Sequence, residues 1–163
     1  MYKFTGFTEK ANRALNSAVE TAENLGHTYV GSEHLLCGIV KEGGSVATSL
    51  MASKGITAQS VEQEIRKTVG VGIPTVLTPD DFTPRSKHII ELSVSIAAKE
   101  NAGYVGTEHL LSAILSEDDS CAAYIISELG YSCDVILSDI GSNSVGRSYS
   151  PPGSKSARNG RKS

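Results

Sequence analysis

The sequence has no tryptophan, five prolines, three cysteines and only 6% aromatic residues. The cysteines stand at 37, 121 and 133, odd in number and without a Cys-x-x-Cys pair. They fit reduced thiols in a reducing, cytoplasmic setting better than a disulfide framework. No segment approaches the ~18 uninterrupted apolar residues of a membrane helix. Met1 to Phe7 lacks the apolar run of a signal peptide. No G-x-x-x-x-G-K-[S/T] phosphate loop is present, since Gly153-Ser154-Lys155-Ser156 lacks the glycine before lysine. ATP binding and hydrolysis are therefore not expected of this chain. H-E-x-x-H and Cys/His clusters are also missing, which argues against a metal centre. No Ser-His-Asp or Cys-His arrangement is legible, so no catalytic residue and no cofactor is assigned.

Charge is scarce in one place and abundant in another. Residues 142–163 hold five basic groups and no acidic one, whereas 1–141 hold ten basic and 18 acidic residues, a net of −8. An acidic body argues against nucleic-acid binding. The basic end has seven Ser, three Gly and two Pro. It lacks the interleaved aromatics of a stacking platform and the apolar face of a membrane-surface helix. It reads as a flexible linker or tail.

The strongest positive signal is an internal repeat. Shifted by 75, the chain falls on itself without a gap: Tyr29-Val30-Gly31-Ser32-Glu33-His34-Leu35-Leu36 meets Tyr104-Val105-Gly106-Thr107-Glu108-His109-Leu110-Leu111. Phe7-Thr8 meets Phe82-Thr83, and Gly55 meets Gly130. The units run over 4–66 and 79–141, together a domain spanning 1–141. Each is short for a core of its own, so the two are expected to pack together.

Each unit reads as four short helices. Ala11, Ala14, Leu15, Ala18, Val19 and Ala22 recur at helical spacing and define one buried stripe. Thr8 and Thr83 sit at N-cap positions, and Pro84 fills the first turn of its helix. Ser32 and Thr107 are expected to cap second helices over 33–42 and 108–117. Third helices span 45–54 and 120–129, and fourth helices 57–68 and 132–140. No period-two run is long enough for a strand, so the fold class is all-α, with eight helices in two halves.

Two copies of a helical unit that open on Phe-Thr and carry Tyr-Val-Gly-[Ser/Thr]-Glu-His-Leu-Leu resemble the double Clp repeat. This is the N-terminal domain of ClpC-type AAA+ unfoldases. The resemblance covers about residues 4–141 and implies a pseudo-twofold bundle of eight helices. It also implies a non-catalytic role: docking adaptor proteins and protein substrates above an ATPase ring that feeds the ClpP peptidase. The ATPase modules would lie outside this chain, and the isolated domain is expected to be monomeric. Two alternatives stay open, a stand-alone accessory subunit resembling plastid ClpT and an enzyme built on the same fold.

The resemblance further implies two phosphoarginine sites, one per repeat. Glu33 and Glu108 match the glutamate that takes the guanidinium, and Thr8 and Thr83 match the groups that serve the phosphate. On residue physics alone, each glutamate is a first-turn acid that complements a helix dipole, and each threonine a plain N-cap. His34 and His109 read as rings that pack or hydrogen-bond locally, and His27 and His88 as surface residues. Cys37, Cys121 and Cys133 read as small core residues. Gly31 and Gly106 read as sharp turns into the second helix, and Tyr29 and Tyr104 as interior or half-buried packing residues.

Overall fold

A computed structural model describes the backbone of residues 1–147. Among these residues the chain forms eight α-helices: α1 (Glu9–Asn24), α2 (Ser32–Glu42), α3 (Val46–Ser53), α4 (Ala58–Val69), α5 (Pro84–Lys99), α6 (Thr107–Leu115), α7 (Cys121–Glu128) and α8 (Cys133–Arg147). A short 3-10 turn, Pro79–Asp81, leads into α5. Local chemistry sets the boundaries. Thr8, Ser45, Thr57, Thr83 and Ser120 each turn a hydroxyl onto a backbone N–H of the first turn, which satisfies one of the orphan donors of a helix start.

The second helices start differently from the expectation. Gly31 and Gly106 are the N-caps of α2 and α6, and Ser32 and Thr107 are their first helical residues. The cap bond comes from a ring: Gly31 N–H donates to Nδ1 of His34 at 2.9 Å, and Gly106 N–H to Nδ1 of His109 at 2.8 Å. The Ser32 hydroxyl is thereby free to accept from the Ala122 N–H, 90 residues away, at 3.0 Å.

The core is continuous through both repeats. Helix α2 lies at its centre, buried from Ser32 to Ile39, and packs on α1, α4, α6 and α7. Leu36, Ile39, Leu110 and Ile114 have 1% exposure or less. The inner helix of each repeat is covered partly by the other, in keeping with units short for a core of their own.

Two backbone exchanges join the repeats. The segment before α1 pairs with the segment before α6, with Thr8 N–H donating to Val105 O at 2.9 Å and Val105 N–H to Gly6 O at 2.9 Å. The segment before α5 pairs with the segment before α2, with Val30 N–H donating to Asp81 O at 2.8 Å and Thr83 N–H to Val30 O at 3.0 Å. The exchange is reciprocal, as a pseudo-twofold relation between the halves requires. Ser86, fully buried, adds a hydroxyl bond to Val30 O at 2.8 Å.

Helix α8 continues to Arg147, past the expected end at 140. No proline intervenes before Pro151, so nothing compels an earlier stop. The expected tail over 142–163 therefore begins inside a helix, and 148–163 lie outside the described residues.

Candidate functional site

The exchange between repeats decides which side chains meet. The start of α5 lies against the start of α2, and the start of α1 against the start of α6. Thr83 consequently shares a cleft with Glu33 of the other repeat, and Thr8 adjoins the segment that carries Glu108. Thr83 and Glu33, from different repeats, thus line one cleft, whereas Thr8 is tied by its backbone to Val105, three residues before Glu108, and does not line the second cleft.

The first cleft, of about 330 Å³, is lined by Ser32 and Glu33 from α2, by Thr83 and Arg85 from the start of α5, and by Asp119, Ser120 and Cys121 at the start of α7. Its carboxylate is only 3% exposed. The Tyr29 hydroxyl donates to Glu33 Oε2 at 3.1 Å, and the Cys121 thiol lines the cleft beside the same carboxylate. Burial and this negative neighbour push the Cys121 thiol up to about 12. They also raise the Tyr29 hydroxyl well above its ordinary range. Arg85 Nη1 forms ion pairs with Glu117 Oε1 at 2.5 Å and with Asp119 Oδ1 at 2.9 Å. That hydrogen bond holds the Asp119 carboxyl below its usual range.

The second cleft, of about 540 Å³, is its counterpart. Lys10 stands where Arg85 stands, Gly44 for Asp119, Ser45 for Ser120, Val46 for Cys121, and Thr107 and Glu108 for Ser32 and Glu33. Ala47, Glu100 and Ile140 complete the lining. Here the Glu108 carboxylate is exposed, and Tyr104, the counterpart of Tyr29, is 64% exposed.

Gly31 and Gly106 have a definite role at these sites. Both have extended backbones, with φ −100° and −101°, so neither is the sharp turn expected of it. A Cβ on Gly31 would come within 2.5 Å of Glu33 Oε1, and one on Gly106 would collide with Glu108 Oε1. Each glycine leaves room for the glutamate to fold back over its helix start.

Several other expectations change. His27 is buried, not on the surface, because its ring links His34 to the linker after α4. Tyr104 is exposed rather than packed, because its cleft lacks the His27 ring on which Tyr29 stacks, 5.8 Å away; the position matching His27 is Ala102. His88 is exposed, 3.6 Å from Glu117. Cys37 and Cys133 are buried and Cys121 half-buried. The residues that sequence reasoning underweighted are Lys10 and Arg85. Their signal is the basic residue that recurs in both repeats at one register position, two residues after each N-cap threonine.

The buried thiols give a first test. Cys37 is pushed up to about 11 by burial, and Cys121 higher still, so little thiolate exists near pH 7.5. Both are expected to react with a thiol-exchange reagent at least about tenfold more slowly than an unfolded control. Equal rates would mean that the helices around them open readily.

Among the described residues no group of three or more His, Cys, Asp or Glu side chains is placed to hold a metal ion. No described helix is long and apolar enough to cross a membrane.

Fold and clefts together define an all-helical, two-repeat domain with a pair of charged clefts at its helix starts. The chain belongs to the family described as Clp repeat (R) N-terminal domain, which it matches over residues 6–129 and 81–155. It is 37% identical over 149 residues to the negative regulator of genetic competence ClpC/MecB of Bacillus subtilis, covering 89% of this chain and 18% of that protein. It is 39% identical over 127 residues to the chloroplastic chaperone protein ClpC1 of Arabidopsis thaliana, covering 78% of this chain and 14% of that protein. The chain thus spans less than a fifth of the length of these relatives. In structure it is similar to the N-terminal domain of the chaperone ClpD from Arabidopsis thaliana, with a TM-score of 0.72 and 23% identity over 86% of this chain and 99% of that one. The Hsp104 N-terminal domain from Candida albicans has a TM-score of 0.67 at 17% identity, over 86% of this chain and 93% of that one.

Proposed function

We propose that the chain docks adaptor proteins and protein substrates for a ClpC-like unfoldase working with the ClpP peptidase, and that its clefts recognise phosphoarginine. The observation that carries this reading is the twofold recurrence of one charge arrangement. Each cleft sets a glutamate at the start of one helix beside a lysine or arginine from the start of another. A phosphorylated guanidinium has the complementary layout. Its planar cation suits a carboxylate, and its anion suits a basic side chain, hydroxyls and helix-start N–H groups. Glu33 and Glu108 would take the guanidinium, and Thr8 and Thr83 would stand on the phosphate side. Their capping roles are compatible with this, since each hydroxyl has lone-pair capacity left after one bond.

Calorimetric titration with free phosphoarginine, against arginine, tests the reading. Phosphoarginine is expected to bind at least about tenfold more tightly, because charge-assisted contacts to the anion contribute roughly 1.5–3 kcal/mol. Equal affinity for the two would remove the phosphate side of the assignment. Absence of binding by both would leave only general protein docking.

A further inference from the structure

The 75-residue register lets the two clefts be compared position by position, and they have diverged in one direction. In the Glu33 cleft every charged group already has partners. Glu33 is buried and accepts from the Tyr29 hydroxyl at 3.1 Å, with the Cys121 thiol beside it in the cleft. Arg85 is held by Glu117 and Asp119. In the Glu108 cleft each of these partners is missing or turned away. Val46 replaces Cys121 and has no donor, and Tyr104 points its bulk to solvent. Gly44 replaces Asp119, and among the described residues the Lys10 ammonium hydrogen-bonds the Gly44 carbonyl, at 3.5 Å, and forms no ion pair. Glu42, the counterpart of Glu117, is engaged by Arg13 at 2.9 Å and not by Lys10. Glu108 has no hydrogen bond or ion pair among the described residues.

We propose that the two clefts are not equivalent: the Lys10–Glu108 cleft is the open site for a phosphorylated guanidinium, and the Arg85–Glu33 cleft is closed by its own residues. This rests on the phosphoarginine reading above. Two separate physical effects produce the closure. An incoming guanidinium at Glu33 must compete with the Tyr29 hydroxyl for a carboxylate that is already out of water. An incoming phosphate at Arg85 must displace or approach two carboxylates, so like-charge repulsion opposes it. At Lys10 and Glu108 no partner carboxylate is paired with the base; Glu100, which also lines this cleft, is engaged by His109 Nε2 at 3.0 Å, and both Lys10 and Glu108 keep enough exposure to be reached. The Asp119–Arg85 pair is exposed on its aspartate side, at 73%, which makes it the cheaper of the two locks to remove.

The test is calorimetric titration of the whole chain with free phosphoarginine. The wild type is expected to bind with a stoichiometry near one. Glu108→Gln and Lys10→Ala should each weaken that site at least tenfold; both positions are at or near the surface, and circular dichroism checks that the fold is kept. Importing the open cleft's residues into the closed one, as Asp119→Gly with Cys121→Val, should raise the stoichiometry toward two. A wild-type stoichiometry near two with similar affinities would overturn the inference and leave the phosphoarginine reading standing. So would unchanged binding in Glu108→Gln. No binding by the wild type or by the double variant would sink the phosphoarginine reading itself, and the inference with it.

Discussion

Gly38→Val is expected to cost about 3 kcal/mol of folding free energy, at the upper end of what overpacking in a core costs. Gly38 lies on the inner face of α2, where that helix crosses α1. A Cβ there would run into the carbonyl oxygen of Ala14 and come within 2.9 Å of the Ala18 nitrogen. These are backbone atoms of another helix and cannot rotate away as a side chain could. Replacing glycine in a helix ordinarily gains up to about 1 kcal/mol of propensity, and a β-branched residue recovers less of it. The steric cost therefore wins. The other repeat supplies the control. Its position is Ala113, fully buried, facing α5 where Ile89 and Ser93 replace Ala14 and Ala18. Ala113→Gly should cost only about 1 kcal/mol, mostly in propensity. Urea unfolding of both variants measures the contrast. A Gly38→Val midpoint close to wild type would mean that α1 and α2 can part without loss, against the close crossing described above.

That crossing was partly legible in the sequence. The alanine stripe of α1 announced a buried face, and the repeat announced that two such faces exist. The intimacy of the contact was not legible, because an alanine stripe does not say what lies opposite it. The same limit applies to the clefts. Glu33 and Glu108 stood out through the repeated Gly-[Ser/Thr]-Glu-His, and Thr8 and Thr83 through Phe-Thr. Which threonine meets which glutamate depends on backbone bonds between Thr8 and Val105 and between Val30 and Thr83. Backbone bonds at single bridges leave no side-chain pattern, so the exchange between repeats could not be read. His27 illustrates a second limit. Its counterpart in the other repeat is Ala102, so the 75-residue repetition carries no signal at that position. Yet its departure from symmetry is what buries it.

The ring that His27 holds, His34, makes stability depend on pH. Gly31 N–H can only donate and Gly70 O can only accept, so the protons between them are ordered. His34 accepts at Nδ1 from Gly31 at 2.9 Å and must carry its proton on Nε2. That proton goes to Nδ1 of His27 at 2.7 Å, and the Nε2–H of His27 reaches Gly70 O at 2.8 Å. No lone pair in the His34 ring is left for another proton. Tyr29 covers both rings, stacked on His27 and edge-on to His34 at 5.4 Å. Burial, and then the neighbouring His27, lower the His34 pKa from 6.5 to about 3. An unfolded chain protonates His34 near 6.5, and the folded chain resists until about 3. Between those values the unfolded state binds more protons, so stability falls as the pH falls, by up to about 1.4 kcal/mol per unit. Above pH 7 the contribution is complete and flat. At pH 5 the loss from this residue is expected to be roughly 2 kcal/mol. His34→Gln separates it from the carboxylates. Glutamine at the third helical position can still accept the cap N–H through its amide oxygen but does not titrate. The variant is expected to be less stable at pH 7.5, through lost packing, yet to lose roughly 2 kcal/mol less than the wild type on going to pH 5. Urea unfolding at the two pH values gives that difference. Parallel losses in the two proteins would show that His34 does not carry the acid sensitivity, and that the ordered ring chain tolerates a proton.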